Sequence, residues 1–202
     1  MRIVAGRLRG RTLAAPKSMA IRPTADRLRE SLFDILVHAY DDPVSDARVL
    51  DVFAGTGALG IEALSRGAGF ALFIDEAAEA RALIRENVAA LGLGGTSRIF
   101  RRDATRLGPV HPLAPFSLAF LDPPYEAGLA ETALACARAG GWLAPGALVV
   151  VEEAAKANFA APDGFAELQR RRYDETEFIF LRLSPSTVPA VKNVSHGRRY
   201  AE

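Results

Sequence analysis

The chain has 202 residues, of which 50% are hydrophobic and 24% charged, with a net charge of +1. This length suffices for one domain with a substantial core. Because no apolar run approaches the roughly 18 residues of a membrane span, we expect a globular cytoplasmic protein with no membrane partner. The single cysteine, Cys136, excludes an internal disulfide, and the three histidines lie far apart, so we expect no metal site.

The charge is concentrated at the start of the chain. Residues 1–30 hold eight basic and two acidic side chains, a balance of +6, while the remainder carries −5. Within this basic end, Arg2–Ala5 and Arg11–Ala14 flank a turn bounded by glycines and predict a short β-hairpin. Such a surface suits a polyanion such as nucleic acid. The alternative is a solvated basic arm that binds nothing in particular.

A helix and a glycine-rich turn follow. Thr24 is a suitable N-cap, and apolar residues at helical spacing predict a helix to about Tyr40. Val49–Phe53 predicts the first strand of the main sheet, and it leads into Gly55-x-Gly57-x-x-Gly60 and a second helix. Glycines let the backbone pass close to a ligand, and the N–H groups at the helix start are open to it.

The second strand, Phe70–Ile74, ends at Asp75, 20 residues after Gly55. An acidic side chain at this spacing suits ribose hydroxyls, which fits a dinucleotide dehydrogenase as well as a methyltransferase. Asp51 separates these alternatives, because a carboxylate before the glycines attracts a cation, such as the amino end of S-adenosylmethionine, and repels a pyrophosphate.

The remaining pattern alternates strands with helices and predicts an α/β fold with a mostly parallel sheet. Two further helices are predicted over Glu76–Leu91 and Leu129–Ala139, with Glu62 and Glu79 as surface residues of their helices. The further strands are Arg98–Arg101, which precedes Asp103-Ala104, then Ser117–Leu121 and Ala147–Val151, and last an antiparallel hairpin of Glu167–Tyr173 with Phe178–Leu183. The segment after Ser184 has no periodicity and is predicted to be a mobile tail.

Asp122-Pro123-Pro124-Tyr125 directly follows the short apolar strand that ends at Leu121. In open α/β sheets, ligands bind at the carboxyl ends of strands, and the two prolines hold the chain on a rigid path. The Asp122 carboxylate and the Pro123 carbonyl would accept hydrogen bonds from a base amine, and Tyr125 would stack on the base. This arrangement suits amine methylation; the alternative is a Pro-Pro turn at the surface.

These motifs together resemble the bacterial 16S ribosomal RNA guanine-N2 methyltransferases of the RsmD type, over residues 1 to about 183. The segments that carry the resemblance are Gly6-x-x-x-Gly10-Arg11, Arg22-Pro23-Thr24-x-x-Arg27-x-Arg29-Glu30-Ser31-Leu32-Phe33, Asp51-x-Phe53-Ala54-Gly55-Thr56-Gly57-Ala58-Leu59-Gly60 and Asp122-Pro123-Pro124-Tyr125. The last is shared with many amino-methyltransferases, including DNA adenine enzymes, whereas the Arg-Pro-Thr segment with the glycine motif is more specific.

The resemblance implies a Rossmann-like class I methyltransferase with a seven-stranded, mostly parallel sheet, an antiparallel last strand and an N-terminal β-hairpin extension. It implies S-adenosylmethionine as cofactor, S-adenosylhomocysteine as product and no metal. The implied cofactor-binding residues are Asp51, Phe53, Gly55, Gly57, Asp75, Asp103 and Ala104, with Asp75 at the ribose and Asp103 at the adenine amine. The implied catalytic residues are Asp122, Pro123 and Tyr125, and the implied RNA-binding residues are Arg7, Arg9, Arg11, Arg22, Arg27 and Arg29.

The expected substrate is 16S rRNA, within an assembled or nearly assembled small ribosomal subunit, and the expected oligomeric state is a monomer. Two other functions stay open: a DNA adenine-N6 methyltransferase, and a non-catalytic RNA-binding module on the same scaffold. The predicted organisation is an N-terminal extension over residues 1–20, a methyltransferase domain over 21–183 and a C-terminal tail over 184–202.

Overall fold

The computed structural model describes residues 1–14, 26–124 and 128–184. Within these ranges, the helices are α1 Asp26–Ala39, α2 Ala58–Ser65, α3 Ala78–Ala90 and α4 Leu129–Ala139. The strands are β1 Arg48–Val52, β2 Phe70–Ile74, β3 Ser97–Phe100, β4 Phe116–Leu121, β5 Leu143–Ala154, β6 Phe165–Tyr173 and β7 Thr176–Leu183. None of these helices is long and apolar enough to cross a membrane.

The strands form one sheet in the order β3-β2-β1-β4-β5-β7-β6. Strands β1 to β5 pair in parallel, and β7 lies antiparallel between β5 and β6. The predicted mostly parallel sheet with an antiparallel last strand is therefore confirmed. The strand order reverses between β1 and β4, and the crevice at such a switch point is where open α/β sheets bind ligands.

Helices cover both faces of the sheet, which is why its central strands are apolar on both sides. On one face, Phe33 of α1 and Ile84 of α3 pack in the same core cluster as Val49 of β1. On the other face, α4 packs in a second cluster with Trp142. Because side chains alternate along a strand, Asp51 points to the same face as Val49, towards α2.

Strand β5 is longer than the sequence predicted. It begins at Leu143 and continues through Pro145-Gly146, which we expected to precede the strand. The pairing of β4 with β5 shifts register between Phe116 and Leu118, and Gly146 adopts a φ of +74°. The Pro-Gly pair thus forms an irregularity inside the strand and does not end it. Proline and glycine occur within strands at such bulges.

The N-terminal segment, residues 1–14, folds back on itself but does not form the two strands of the predicted β-hairpin. Arg2 and Thr12 form an isolated antiparallel bridge, and the Ile3 N–H donates to the Arg11 carbonyl at 2.9 Å. Ile3 and Leu13 are 1% and 2% exposed and belong to the main core cluster. The segment is therefore packed into the domain. Its two halves are too short to form more than one β-bridge.

Glu62 of α2 anchors this segment, although we expected it at the surface. Its carboxylate has no exposed area and accepts the backbone N–H groups of Val4 and Ala5, both at 2.9 Å. Arg66 donates to it at 2.9 Å, and Arg29 lies 3.5 Å away. A buried carboxylate needs such partners; Arg66 is four residues away on the same helix, but Val4, Ala5 and Arg29 come from parts of the chain that the helical pattern around Glu62 does not reveal. Thr24, the predicted helix cap, lies outside the described residues.

Candidate active site

The turns after the parallel strands are held together by hydrogen bonds that continue the sheet. The Asp75 N–H donates to the carbonyl of Phe100 at 3.3 Å, and the Asp122 N–H donates to that of Val52 at 3.4 Å. Each residue that follows a strand is thereby fixed by the neighbouring strand. The turns after β1, β2, β3 and β4 consequently meet along one edge of the sheet.

A cavity of about 930 Å³ opens along this edge. Its lining includes the predicted cofactor residues Asp51, Phe53, Gly55, Asp75, Asp103 and Ala104, and the predicted catalytic residues Asp122 and Pro123. Gly57 does not line it. A Cβ at Gly57 would lie 3.2 Å from Phe73 and 3.3 Å from Ile84, and its φ is +77°. Gly57 therefore forms a tight turn against α3, and its predicted contact with the cofactor stays a prediction.

Asp51 combines burial with a place in the cavity wall. It is 2% exposed, and one carboxylate oxygen accepts the Gly60 N–H at 2.8 Å. Burial raises the pKa of Asp51 to about 8; the bond from Gly60 opposes the rise and the charge of Asp75 adds to it. Removing a carboxylate from water disfavours its ionised form, so a cation in the cavity would be a favourable partner for Asp51.

Asp75 braces the glycine-rich turn. Its two oxygens accept the N–H groups of Gly55 at 2.9 Å and of Ala77 at 2.8 Å. Phe53 enters the same turn with a φ of +57°, a left-handed conformation that costs a non-glycine residue about 1–3 kcal/mol and that clusters at functional sites. The sequence spacing of Gly55 and Asp75 thus reflects a direct bond between them, and Asp75 retains lone pairs for a ligand hydroxyl.

Asp103 begins the 3₁₀ turn Ala104–Arg106. One of its oxygens accepts both the backbone N–H of Thr105 at 2.8 Å and the Thr105 hydroxyl at 2.7 Å. These bonds lower the pKa of Asp103, with a smaller contribution from Arg106. Asp103 is therefore an ionised acceptor at neutral pH, suited to an amine at the cavity wall.

The other end of the cavity is built from β4, β5 and β7. Asp122 and Pro123 line it together with Glu152 of β5 and Thr176 of β7. Pro123 is buried and Asp122 is half-buried. Because Leu121 pairs with Val151 in parallel register, Asp122, directly after β4, and Glu152, within β5, lie at the same level of the sheet. This end can accept several hydrogen bonds from a ligand that is rich in N–H donors. Tyr125 lies outside the described residues.

The predicted RNA-binding arginines separate into two groups. Arg7, Arg9, Arg11 and Arg27 are exposed. Arg29 has no exposed side-chain area; it donates to Asp26 at 2.8 Å and to the Arg2 carbonyl. The structure therefore corrects the prediction for Arg29, because its guanidinium fixes the N-terminal segment to α1 and offers nothing to an RNA phosphate. Arg22 lies outside the described residues.

Sequence reasoning missed several residues at or near the cavity, among them Glu152, Thr176 and Asn87. Glu152 and Thr176 line it, and Asn87 of α3 donates from its side chain to the carbonyl of cavity-lining Thr56 at 3.0 Å. Glu152 had a signal, since it directly follows an apolar strand as Asp122 does. Thr176 and Asn87 had none, because the contacts that matter join distant parts of the chain.

The family model that matches the chain is described as conserved hypothetical protein 95 and covers residues 1–182. The Ribosomal RNA small subunit methyltransferase D of Escherichia coli K12 is 41% identical over 153 residues, which span 75% of this chain and 74% of that protein. The protein of the same name from Haemophilus influenzae is 32% identical over 173 residues, spanning 85% of this chain and 88% of its own length.

Solved structures show the same architecture. The Escherichia coli protein yhhF, described provisionally as a methyltransferase, superposes with a TM-score of 0.77 at 32% identity, over 92% of this chain and 98% of that one. A hypothetical protein of Thermus thermophilus superposes with a TM-score of 0.68 at 34% identity, over 89% of this chain and 98% of the other.

Proposed function

Because the chain belongs to the family of the ribosomal RNA small subunit methyltransferases D, as its motifs indicated, and has their class I methyltransferase fold, we propose that it methylates the exocyclic N2 amine of a guanine in 16S rRNA. The proposed methyl donor is S-adenosylmethionine, and the product is S-adenosylhomocysteine. One observation carries the proposal: a single cavity runs past Asp51, Asp75 and Asp103 to Asp122 and Pro123.

The cavity wall fits S-adenosylmethionine in the character of its donors and acceptors. Asp51, whose pKa burial raises to about 8, would pair in its ionised form with the cofactor's amino group. The N-terminal turn of α2 begins at cavity-lining Ala58 and suits a carboxylate. Asp75 would accept from the ribose hydroxyls and Asp103 from the adenine amine. When bound, S-adenosylmethionine supplies a methyl group on a positively charged sulfur.

Asp122 and Pro123 would prepare the base amine for reaction. The lone pair of such an amine is delocalised into the ring, which makes the nitrogen a poor nucleophile. Hydrogen bonds from the amine to the Asp122 carboxylate and the Pro123 carbonyl would make the nitrogen more pyramidal and aim its lone pair towards the cofactor end of the cavity. Both residues are held on a rigid path by the two prolines and the bond from Asp122 to Val52.

The acceptors at this end favour guanine over adenine. Guanine presents two adjacent donor groups, N1–H and N2–H₂, whereas adenine presents its amine beside an acceptor nitrogen. Asp122, directly after β4, and Glu152, on the neighbouring strand β5, would supply carboxylate oxygens for both guanine groups. An acceptor nitrogen facing the second carboxylate would be repelled.

The exposed arginines at the basic end support an RNA substrate. Arg7, Arg9 and Arg11 belong to the N-terminal segment, and Arg27 lies on α1 close by, next to Leu28, which lines the cavity. These side chains would contact phosphates and hold the RNA while the target base enters the cavity. The proposed partner is 16S rRNA in an assembled or nearly assembled small subunit, and the protein would act as a monomer.

The test is transfer of labelled methyl from S-adenosylmethionine to small ribosomal subunits, naked 16S rRNA and duplex DNA in parallel, followed by nucleoside analysis. The expected product is N2-methylguanosine in the RNA samples alone. N6-methyladenine in the DNA would instead indicate the adenine enzyme that shares Asp122 to Tyr125. Cofactor binding without any product in the three samples would end the proposal, whereas RNA binding with neither cofactor binding nor product would indicate a non-catalytic RNA-binding module.

A further inference from the structure

One buried side chain joins the glycine-rich turn to the N-terminal segment. Asn87 of α3 is 2% exposed. Its amide nitrogen donates to the Thr56 carbonyl at 3.0 Å, and its amide oxygen accepts the Ala14 N–H at 2.7 Å. Thr56 lies in the cavity wall, and Ala14 ends the first described stretch, which carries four exposed arginines, Arg2, Arg7, Arg9 and Arg11.

Other contacts of α3 reach the same two places. The turn packs on α3 where Gly57 faces Ile84, so closely that even a Cβ at Gly57 would lie 3.3 Å from Ile84. The Arg11 guanidinium donates to the Ala90 carbonyl near the end of the helix at 3.2 Å. Asn87 contacts both the turn and the N-terminal segment with one side chain, so a displacement of either Thr56 or Ala14 changes a hydrogen bond of the same amide group.

The far side of the N-terminal segment is held just as closely, by α2. The Leu8 N–H donates to the Ser65 hydroxyl at 3.0 Å, and that hydroxyl donates to the Ala5 carbonyl at 2.6 Å. A Cβ at Gly6 would lie 2.0 Å from the Ser65 carbonyl oxygen. The segment therefore cannot shift as a free arm, and it moves with the two helices that flank the glycine-rich turn.

We infer that Asn87 is a positioning residue that couples the two ligands: cofactor in the cavity favours the arrangement of the N-terminal segment that binds RNA, and bound RNA favours the arrangement of the turn that binds cofactor. The inference rests on the proposed function. A coupling between two ligands is reciprocal, so each must change the affinity of the other by the same factor. Asn87 suits this role because a buried amide that loses one partner leaves a polar group unsatisfied.

The experiment measures the dissociation constant of S-adenosylhomocysteine for the full chain with and without small ribosomal subunits, and that of the subunits with and without S-adenosylhomocysteine. The product is used so that no turnover occurs. For the unaltered protein, both affinities rise by one common factor, about tenfold. In Asn87→Ala the factor falls close to one. Ala14→Pro, which removes the N–H donor and keeps Asn87, gives the same loss, and the double variant adds nothing further.

Ser97→Ala is the matched control. It removes a buried hydrogen bond of similar length, from the Ser97 hydroxyl to the Leu93 carbonyl at 2.9 Å, at the distal edge of the sheet, and it keeps the full coupling factor. If the role of Asn87 were only structural, Asn87→Ala and Ala14→Pro would lower the melting temperature but keep the coupling factor of the unaltered protein. That result would overturn the inference. Should Asn87→Ala not fold, Ala14→Pro decides alone.

The failure of this inference is distinguishable from that of the proposed function. If the unaltered protein methylates 16S rRNA but binds its two ligands independently, with a coupling factor of one, the coupling is refuted and the enzyme stands. If it methylates no RNA and does not bind subunits, both are refuted.

Discussion

The two ends of the cavity are built in different ways. The end proposed for the cofactor, called the cofactor end, contains Asp51, Asp75 and Asp103. Each of these carboxylates accepts a backbone N–H from a nearby turn or helix start, and these hydrogen bonds hold this wall in place. The opposite end, proposed for the base and called the base end, contains Asp122 and Glu152, which come from the separate segments after β4 and within β5. Pro123 and Pro124 after Asp122 have no backbone N–H to donate. The difference teaches that hydrogen bonds between neighbouring turns shape the cofactor end, while the base end also requires the separate strands β4 and β5 to lie side by side.

The largest effect is expected at the base end. Asp122→Ala should lower the rate of methyl transfer by about 100-fold or more, the range for loss of one well-placed polar group in an active site, and should leave the affinity for S-adenosylhomocysteine unchanged. The measurement is transfer of labelled methyl to small subunits, with calorimetry for the affinity. Asp174→Asn, in the exposed turn between β6 and β7, is the control. Unchanged transfer in Asp122→Ala would remove the residue from the mechanism.

At the cofactor end, Asp51→Asn should affect the affinity for the cofactor. The amide can still accept from Gly60, but it cannot pair with an ammonium group, so the affinity for S-adenosylmethionine should fall by about tenfold or more. In the unaltered protein, binding should release a proton and weaken as the pH falls below about 8, because the raised pKa of Asp51 keeps the empty site protonated there. Calorimetry in buffers of different ionisation enthalpy counts that proton. Equal proton release in Asp51→Asn would contradict the assignment.

The same substitution also tests the stability of the empty protein. The pKa of Asp51 is higher folded, about 8, than unfolded, where an aspartate titrates near 4. Its contribution to stability is therefore complete below about pH 4 and is lost as the pH rises through about 8. Asp51→Asn should be the more stable protein at alkaline pH and gain nothing in acid. Thermal melting across this range, without cofactor, checks the sign.

A smaller effect is expected for Glu152→Gln. Replacing a charged acceptor for the N–H groups of guanine should lower kcat/KM for subunits by about tenfold, the size of one hydrogen bond to a charged group. Glu153→Gln is the matched control, because Glu153 follows Glu152 on β5 and so points to the opposite face of the sheet. If the two variants behave alike, Glu152 does not recognise the base.

The smallest effects are expected in the basic N-terminal segment. Arg7→Ala and Arg9→Ala should each weaken subunit binding several-fold and reduce its salt dependence by about one unit of slope. Arg29→Ala should instead lower the melting temperature, because a buried pair that loses one member costs about 3–5 kcal/mol. Titration at several salt concentrations separates the two behaviours. A salt slope that both surface variants leave intact would exclude this segment as the RNA contact.

The sequence was most informative where structure is local. The bounds of β2 and α4 were predicted to the residue, because short apolar runs and glycine stops leave few alternatives. The spacing of Gly55 and Asp75 likewise reports a bond between neighbouring turns. The Pro-Gly pair in β5 misled the prediction, since only the pairing with β4 shows that the strand continues past it.

The sequence was least informative where a side chain acts on a distant partner. Arg29 and Glu62 have the spacing of ordinary helix residues, yet both are fully buried because the N-terminal segment lies across them. Glu152 contributes to the cavity because β5 lies beside β4. These roles depend on which elements meet, which periodicity along one segment does not specify.

The anchoring of the N-terminal segment on α2 has a consequence for the order of folding. Val4 and Ala5 are made first, but their hydrogen-bond partner Glu62 follows 58 and 57 residues later. Contacts of such high sequence separation form late, since their loop-closure entropy is unfavourable until the intervening chain is ordered. During synthesis, the arginines therefore reach their final geometry only after β1 and α2 have assembled, and an incomplete nascent chain presents a disordered basic segment instead of the finished surface that we propose for RNA.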